Sequence, residues 1–60
     1  MNTFVCWTSN NRKIVVRGVL FSFEAEKKAA KHLTRQERIT STTIVTAPPK
    51  AGPLDVVIDA

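Results

Sequence analysis

The stretch "TFVCWTSNNRKIVVRGVLF", residues 3–21, decides the fold, because it reads as a β-hairpin whose register chooses the buried side chains. Its two halves, "TFVCWT" (3–8) and "KIVVRGVLF" (13–21), are rich in β-branched and aromatic residues, and "SNNR" lies between them. Asn10-Asn11 reads as a two-residue turn, since Asn tolerates the positive φ that a type I′ hairpin demands. That turn sets Trp7 opposite Ile14, Val5 opposite Val16 and Thr3 opposite Gly18. The other face then pairs Phe4 with Arg17, Cys6 with Val15 and Thr8 with Lys13. Cross-strand partners share a face, and the first face is the more apolar. Trp7, Val5, Ile14 and Val16 are therefore assigned to the core, with Phe4 and Cys6 on the outer face.

Beyond the hairpin, Ser22 reads as the cap of a helix running from Phe23 to about Arg38. Glu24 and Glu26 stand in its first turn, where the helix dipole favours negative charge, and no Gly or Pro interrupts it. At 100° per residue Ala25, Ala29 and Leu33 form one stripe, with Ala30 on its flank. Such small side chains let a helix lie close on a sheet. "STTIVTA" (41–47) reads as a third strand with Ile44 inward. "PPKAGP" (48–53) holds all three prolines and reads as an extended connector. "LDVVIDA" (54–60) alternates, with Leu54, Val56 and Ile58 on one side and Asp55, Val57 and Asp59 on the other. It suits a fourth strand, an edge strand lent to a partner, or a tail. The expectation is that residues 54–58 cover a sheet edge while Asp55 and Asp59 face the cation-rich surface. The fold class is α+β: residues 1–60 form one small domain, β-β-α-β with a terminal β. In it one helix packs across an antiparallel sheet of three to four strands.

Sixty residues bury only about 60% of the unfolded surface, so the core is thin. One cysteine excludes an internal disulfide framework, which favours a cytoplasmic home. No apolar run approaches the ~20 residues of a membrane span, and "MNTFVCW" has no basic segment ahead of an apolar stretch, so no membrane partner or signal peptide is expected. The single Cys6 and single His32 lie on different elements, with Cys6 on the face away from the helix, so they fail as a nucleophile pair and are too few for zinc. Glu24, Glu26 and Glu37 fall on the solvated helix, and Asp55 and Asp59 on the terminal segment. Gly18 and Gly52 make no phosphate-cradling loop. The reading is a non-enzyme with no metal and no cofactor.

What remains is charge. The chain carries +4, with a pI near 9.9, which suits an anionic partner. Lys27, Lys28, Lys31, Arg35 and Arg38 gather on the helical arc opposite the alanines. On the outer sheet face Lys13 and Arg17 stand beside Phe4, an arrangement some folds use to stack single-stranded nucleic acid. These eight residues are the candidate contacts.

The layout "FVCWTSNNRKIVVRGVLFSFEAEKKAAKHL…TTIVTA" resembles small phage-encoded inhibitor proteins, of the kind that block host RNA polymerase and of the anti-CRISPR kind. The resemblance covers the element order of residues 3–47, and Ser22, Glu24, Ala25 and Ala29 match the helix-start and packing pattern. It implies a β-β-α-β inhibitor fold working in a host cytoplasm. Three readings follow, in this order. The first is a non-catalytic module that binds and inhibits a host protein or nucleoprotein complex through the basic helix face. The second is a direct, weakly sequence-specific binder of DNA or RNA. The third is a structural module in which "LDVVIDA" pairs between two copies as a homodimer.

Overall fold

A computed structural model describes residues 1–47 and 50–60. Strands β1 (Asn2–Thr8) and β2 (Lys13–Val19) form the hairpin, but one residue away from the expected register. Trp7 pairs with Lys13, Cys6 with Ile14, Val5 with Val15 and Phe4 with Val16. The turn is the cause. The Thr8 amide donates to the Arg12 carbonyl (3.0 Å) and the Asn11 amide to the Thr8 carbonyl (3.1 Å), so the loop is Ser9-Asn10-Asn11. Asn11 alone takes positive φ, at 59°. This is the three-residue solution, a tight turn closed by one left-handed residue, instead of the two-residue type I′ turn. A one-residue slip turns a strand over. It does so to β1 only: Ile14 and Val16 keep their core places, whereas Phe4 and Cys6 turn under the helix and Val5 and Trp7 go to the other face, where Val5 is still buried and Trp7 is not.

Helix α1 (Ser22–Ala30) lies across the inner face and buries Ala25 and Ala29 against Phe4, Cys6, Ile14 and Val16. The alanine stripe is where the periodicity put it. The helix is shorter than expected, ending eight residues before Arg38. Nine residues span about 13.5 Å, enough to cross only part of a seven-residue strand of roughly 23 Å. Residues 31–38 make up the difference as turns, and Leu33 packs on the core from there.

Strand β3 (Ile39–Val45) pairs antiparallel with β1. Ile44, expected inward, does share the helix-covered face as the cross-strand partner of Phe4, but it stays 56% exposed. Strand β4 (Val56–Asp59) pairs with β2 in the parallel sense, so the sheet order is β3-β1-β2-β4 and the sheet is mixed, not purely antiparallel. Val56 and Ile58 pack on the core as expected, whereas Leu54 falls outside the strand and is exposed. Pro48 and Pro49, the first two residues of the expected connector, lie outside the described residues.

Gly18 is skipped in the β1–β2 ladder, where Asn2 pairs with Val19 and Thr3 with Arg17. It is therefore a bulge residue, and its φ of +81° is one that a side chain resists. A Cβ there would stand 3.0 Å from the Ala60 carbonyl oxygen and 3.9 Å from the Met1 sulfur. Among the described residues no helix is long and apolar enough to cross a membrane.

Candidate functional site

The junction between β2 and α1 places large apolar side chains in solvent. Val19 is buried at the end of β2, after which Leu20, Phe21 and Phe23 all point out. Phe21, not Ser22, occupies the N-cap position with extended backbone, and no side chain caps the helix. Ser22 is instead the first helical residue. The Phe21 carbonyl starts the helix, accepting from the amides of Glu24 (3.1 Å) and Ala25 (3.3 Å). Because Ala25 and Ala29 face the sheet, the 100° step puts Phe23 and Lys27 on the opposite side of the helix. The rings of Phe21 and Phe23 stack nearly parallel but offset, with centroids 5.6 Å apart and planes 10° from parallel. They are nevertheless 57% and 65% exposed.

Behind the rings Phe23, Glu24, Lys27, Lys28 and Lys31 line an open groove of about 490 Å³. Among the described residues none of these lysines forms a salt bridge. Two of these lysines are on the helix and the third is its C-cap residue, and Glu24 is the one acidic side chain lining the groove with them.

The other expected contacts are dispersed. Arg35 sits in a turn beyond the helix, and Arg38 lies just before β3, where its backbone exchanges hydrogen bonds with Ser9. The five cations therefore do not form one helical arc: the helix stops at Ala30, so only Lys27, Lys28 and Lys31 share the groove. Lys13 and Arg17 do lie on the outer sheet face, each with an acidic partner. Lys13 bonds Asp55 at 3.1 Å and Arg17 bonds Asp59 at 3.4 Å. Asp55 and Asp59 thus meet the cations as expected. Phe4 cannot offer its ring to a ligand there, since the register turns it under the helix at 5% exposure. The aromatic ring on that face is Trp7, expected in the core but 41% exposed, with the Lys13 ammonium 5.7 Å from its centroid.

One polar cluster was hidden from sequence reasoning. Glu37, expected on a solvated helix, is buried. Its carboxylate accepts from Arg12 Nη2 at 2.6 Å and Nε at 2.9 Å, from the Thr8 hydroxyl, and from the Thr34 amide at 3.0 Å. Arg12 also donates to the His32 carbonyl at 2.8 Å. The Arg12 hydrogen bonds, followed by those from Thr8 and Thr34, pull the Glu37 pKa down to about 2. Asp55 is likewise held at about 2, by the amides of Gly52 (2.7 Å) and Lys13 (2.9 Å). Cys6 lies beneath the helix, opposite to its expected side, and burial raises its thiol pKa. Among the described residues no group of three or more His, Cys, Asp or Glu could hold a metal ion.

Sequence reasoning also passed over Phe21 and Phe23. The signal was present: Phe23 is two residues, or 200°, from Ala25, so an inward alanine face dictates an outward ring. "LFSF" is also far more apolar than a helix-start turn requires. No family model matches the chain, and neither does any curated protein or solved structure.

Proposed function

We propose that this protein is a non-catalytic binding module that docks on an anionic partner through Lys27, Lys28 and Lys31. The observation that carries the reading is the crowding of these three lysines, none salt-bridged among the described residues, along one groove. Like charges four residues apart, as Lys27 and Lys31 are, repel by a few tenths of a kcal/mol, and an anionic surface relieves that repulsion. The buried groups support a binding role over a catalytic one. Glu37 and Asp55 are saturated with donors and held ionised, and Cys6 is buried with a raised pKa, so none is poised to move a proton or attack. Inhibition of a host nucleic-acid machine rests on the same face, for a module this small acts by occupying a surface.

The test is retention on immobilised heparin. Lys28→Glu/Lys31→Glu should elute at clearly lower salt than the parent, with Tm within a few degrees of it. A control with the same net charge, Arg35→Glu/Lys50→Glu, lies outside the groove and should lose less. If both double variants elute together, net charge alone drives retention and the groove is not a docking face.

A further inference from the structure

The stacked rings narrow the choice of anion. Two near-parallel phenylalanine rings, each more than half exposed, stand together where Phe23 lines a groove whose other residues include three lysines. Phe23 and Lys27 are four residues apart, and Lys31 four further on in helical conformation, so ring, cation and cation follow one ridge at about 6 Å intervals. We infer that the occupant of this face is a single-stranded nucleic acid, with one base stacked on the Phe21–Phe23 pair and its backbone phosphates on Lys27, Lys28 and Lys31. The inference rests on the docking reading above and names its partner.

Each part of the face fits that ligand. A base has a flat π-surface that stacks on an exposed ring whatever its identity, and lysines neutralise phosphate without reading sequence. Glu24 stands beside Phe23 and repels phosphate there, which orients the ligand with its base at the ring end and its backbone at the lysine end. A duplex keeps its base faces inside its own stack and has none to offer the rings. An anionic membrane fits less well, because a helix lying on a bilayer needs an apolar face along its length. Here that face is Ala25 and Ala29, already buried on the sheet. An acidic protein surface would satisfy the lysines but gives the parallel rings no flat partner.

The experiment is fluorescence anisotropy with a labelled single strand of about ten nucleotides, within the usual span of one small binding domain. The same sequence as duplex, heparin as a polyanion without bases, and phosphatidylserine vesicles are the comparison ligands. Phe23→Ala should fold normally, since the ring lies outside the core, and should weaken single-strand binding about tenfold. It should leave heparin binding unchanged, and Phe23→Tyr should restore the single-strand affinity. Lys28→Glu/Lys31→Glu should weaken both ligands. Because Trp7 is on the opposite face, its fluorescence should not be quenched on binding. If Phe21→Ala and Phe23→Ala both bind the single strand like the parent, the stacking inference is overturned. A duplex or vesicle bound as tightly as the single strand overturns it too. In those cases a surviving effect of the lysine variant leaves the docking face standing. If the lysine variant also binds heparin like the parent, the docking reading itself falls.

Discussion

Phe4 and Trp7 are the two aromatic rings of β1, three residues apart and on opposite faces of the sheet. Phe4 is enclosed by the helix and β2, so Phe4→Ala removes a ring from a site that cannot refill. The loss should be about 3–5 kcal/mol, enough to unfold a domain this small. Trp7 rests on the outer face with water along part of its ring, and Trp7→Ala should cost roughly 1–2 kcal/mol. Urea unfolding followed by circular dichroism should therefore show a cooperative transition for Trp7→Ala and none for Phe4→Ala; the reverse ranking would put Trp7 inside. Size and hydrophobicity alone point the other way, since Trp is the largest apolar side chain in the hairpin. The difference lies in Asn11. One left-handed residue closes a three-residue loop where two consecutive ones would have closed a two-residue loop, and the sequence "NN" suits both. Strand β2 was legible because its apolar residues Ile14 and Val16 face the helix under the observed pairing as they did under the expected one.

At the scale of elements, the helix was legible where local pattern governs and illegible where a distant residue intervenes. Ala25 and Ala29 announce the buried side by spacing alone. The helix first tightens into i→i−3 bonds at Lys31, His32 and Leu33, and the Glu37 carboxylate then takes the Thr34 amide that a continuing helix would have bonded to the Ala30 carbonyl, so the helix does not resume. The Glu37 partners Arg12 and Thr8 lie on the hairpin, more than twenty residues away, so no local pattern reports the stop. The same cluster predicts an acid limit. Glu37 and Asp55 have folded-state pKa values of about 2, below the roughly 4 of an unfolded carboxylate. Their contribution to stability is complete above pH ~4–5 and is lost as the pH falls towards 2. Tm should be flat above pH 5 and decline steeply below pH 4. Glu37→Gln should lower Tm at neutral pH and flatten the decline. A parent Tm indifferent to acid would show that neither carboxylate is held ionised by the fold.

For the molecule as a whole, β4 completes the sheet by covering the outer edge of β2, and Asp55 just before it and Asp59 at its end pair with Lys13 and Arg17. The alternation of "LDVVIDA" made the strand legible; its parallel sense was not, because that depends on the path from β3. The radius of gyration, 10.2 Å, is close to the roughly 10.4 Å expected of a close-packed 60-residue body. The bulge at Gly18 reaches beyond local strand geometry. Met1 and Ala60 both abut it, so the first and last residues of this chain are neighbours across one glycine. Joining them through a few flexible residues would make the backbone an endless loop without displacing a strand. Closure leaves the native packing alone and shrinks the freedom of the denatured chain, a gain of about 2–4 kcal/mol for a loop of this length. The circular protein should melt about ten degrees or more above the open one and keep the same circular dichroism spectrum. An unchanged melting temperature would mean that the ends separate in solution and that the contacts at Gly18 do not persist.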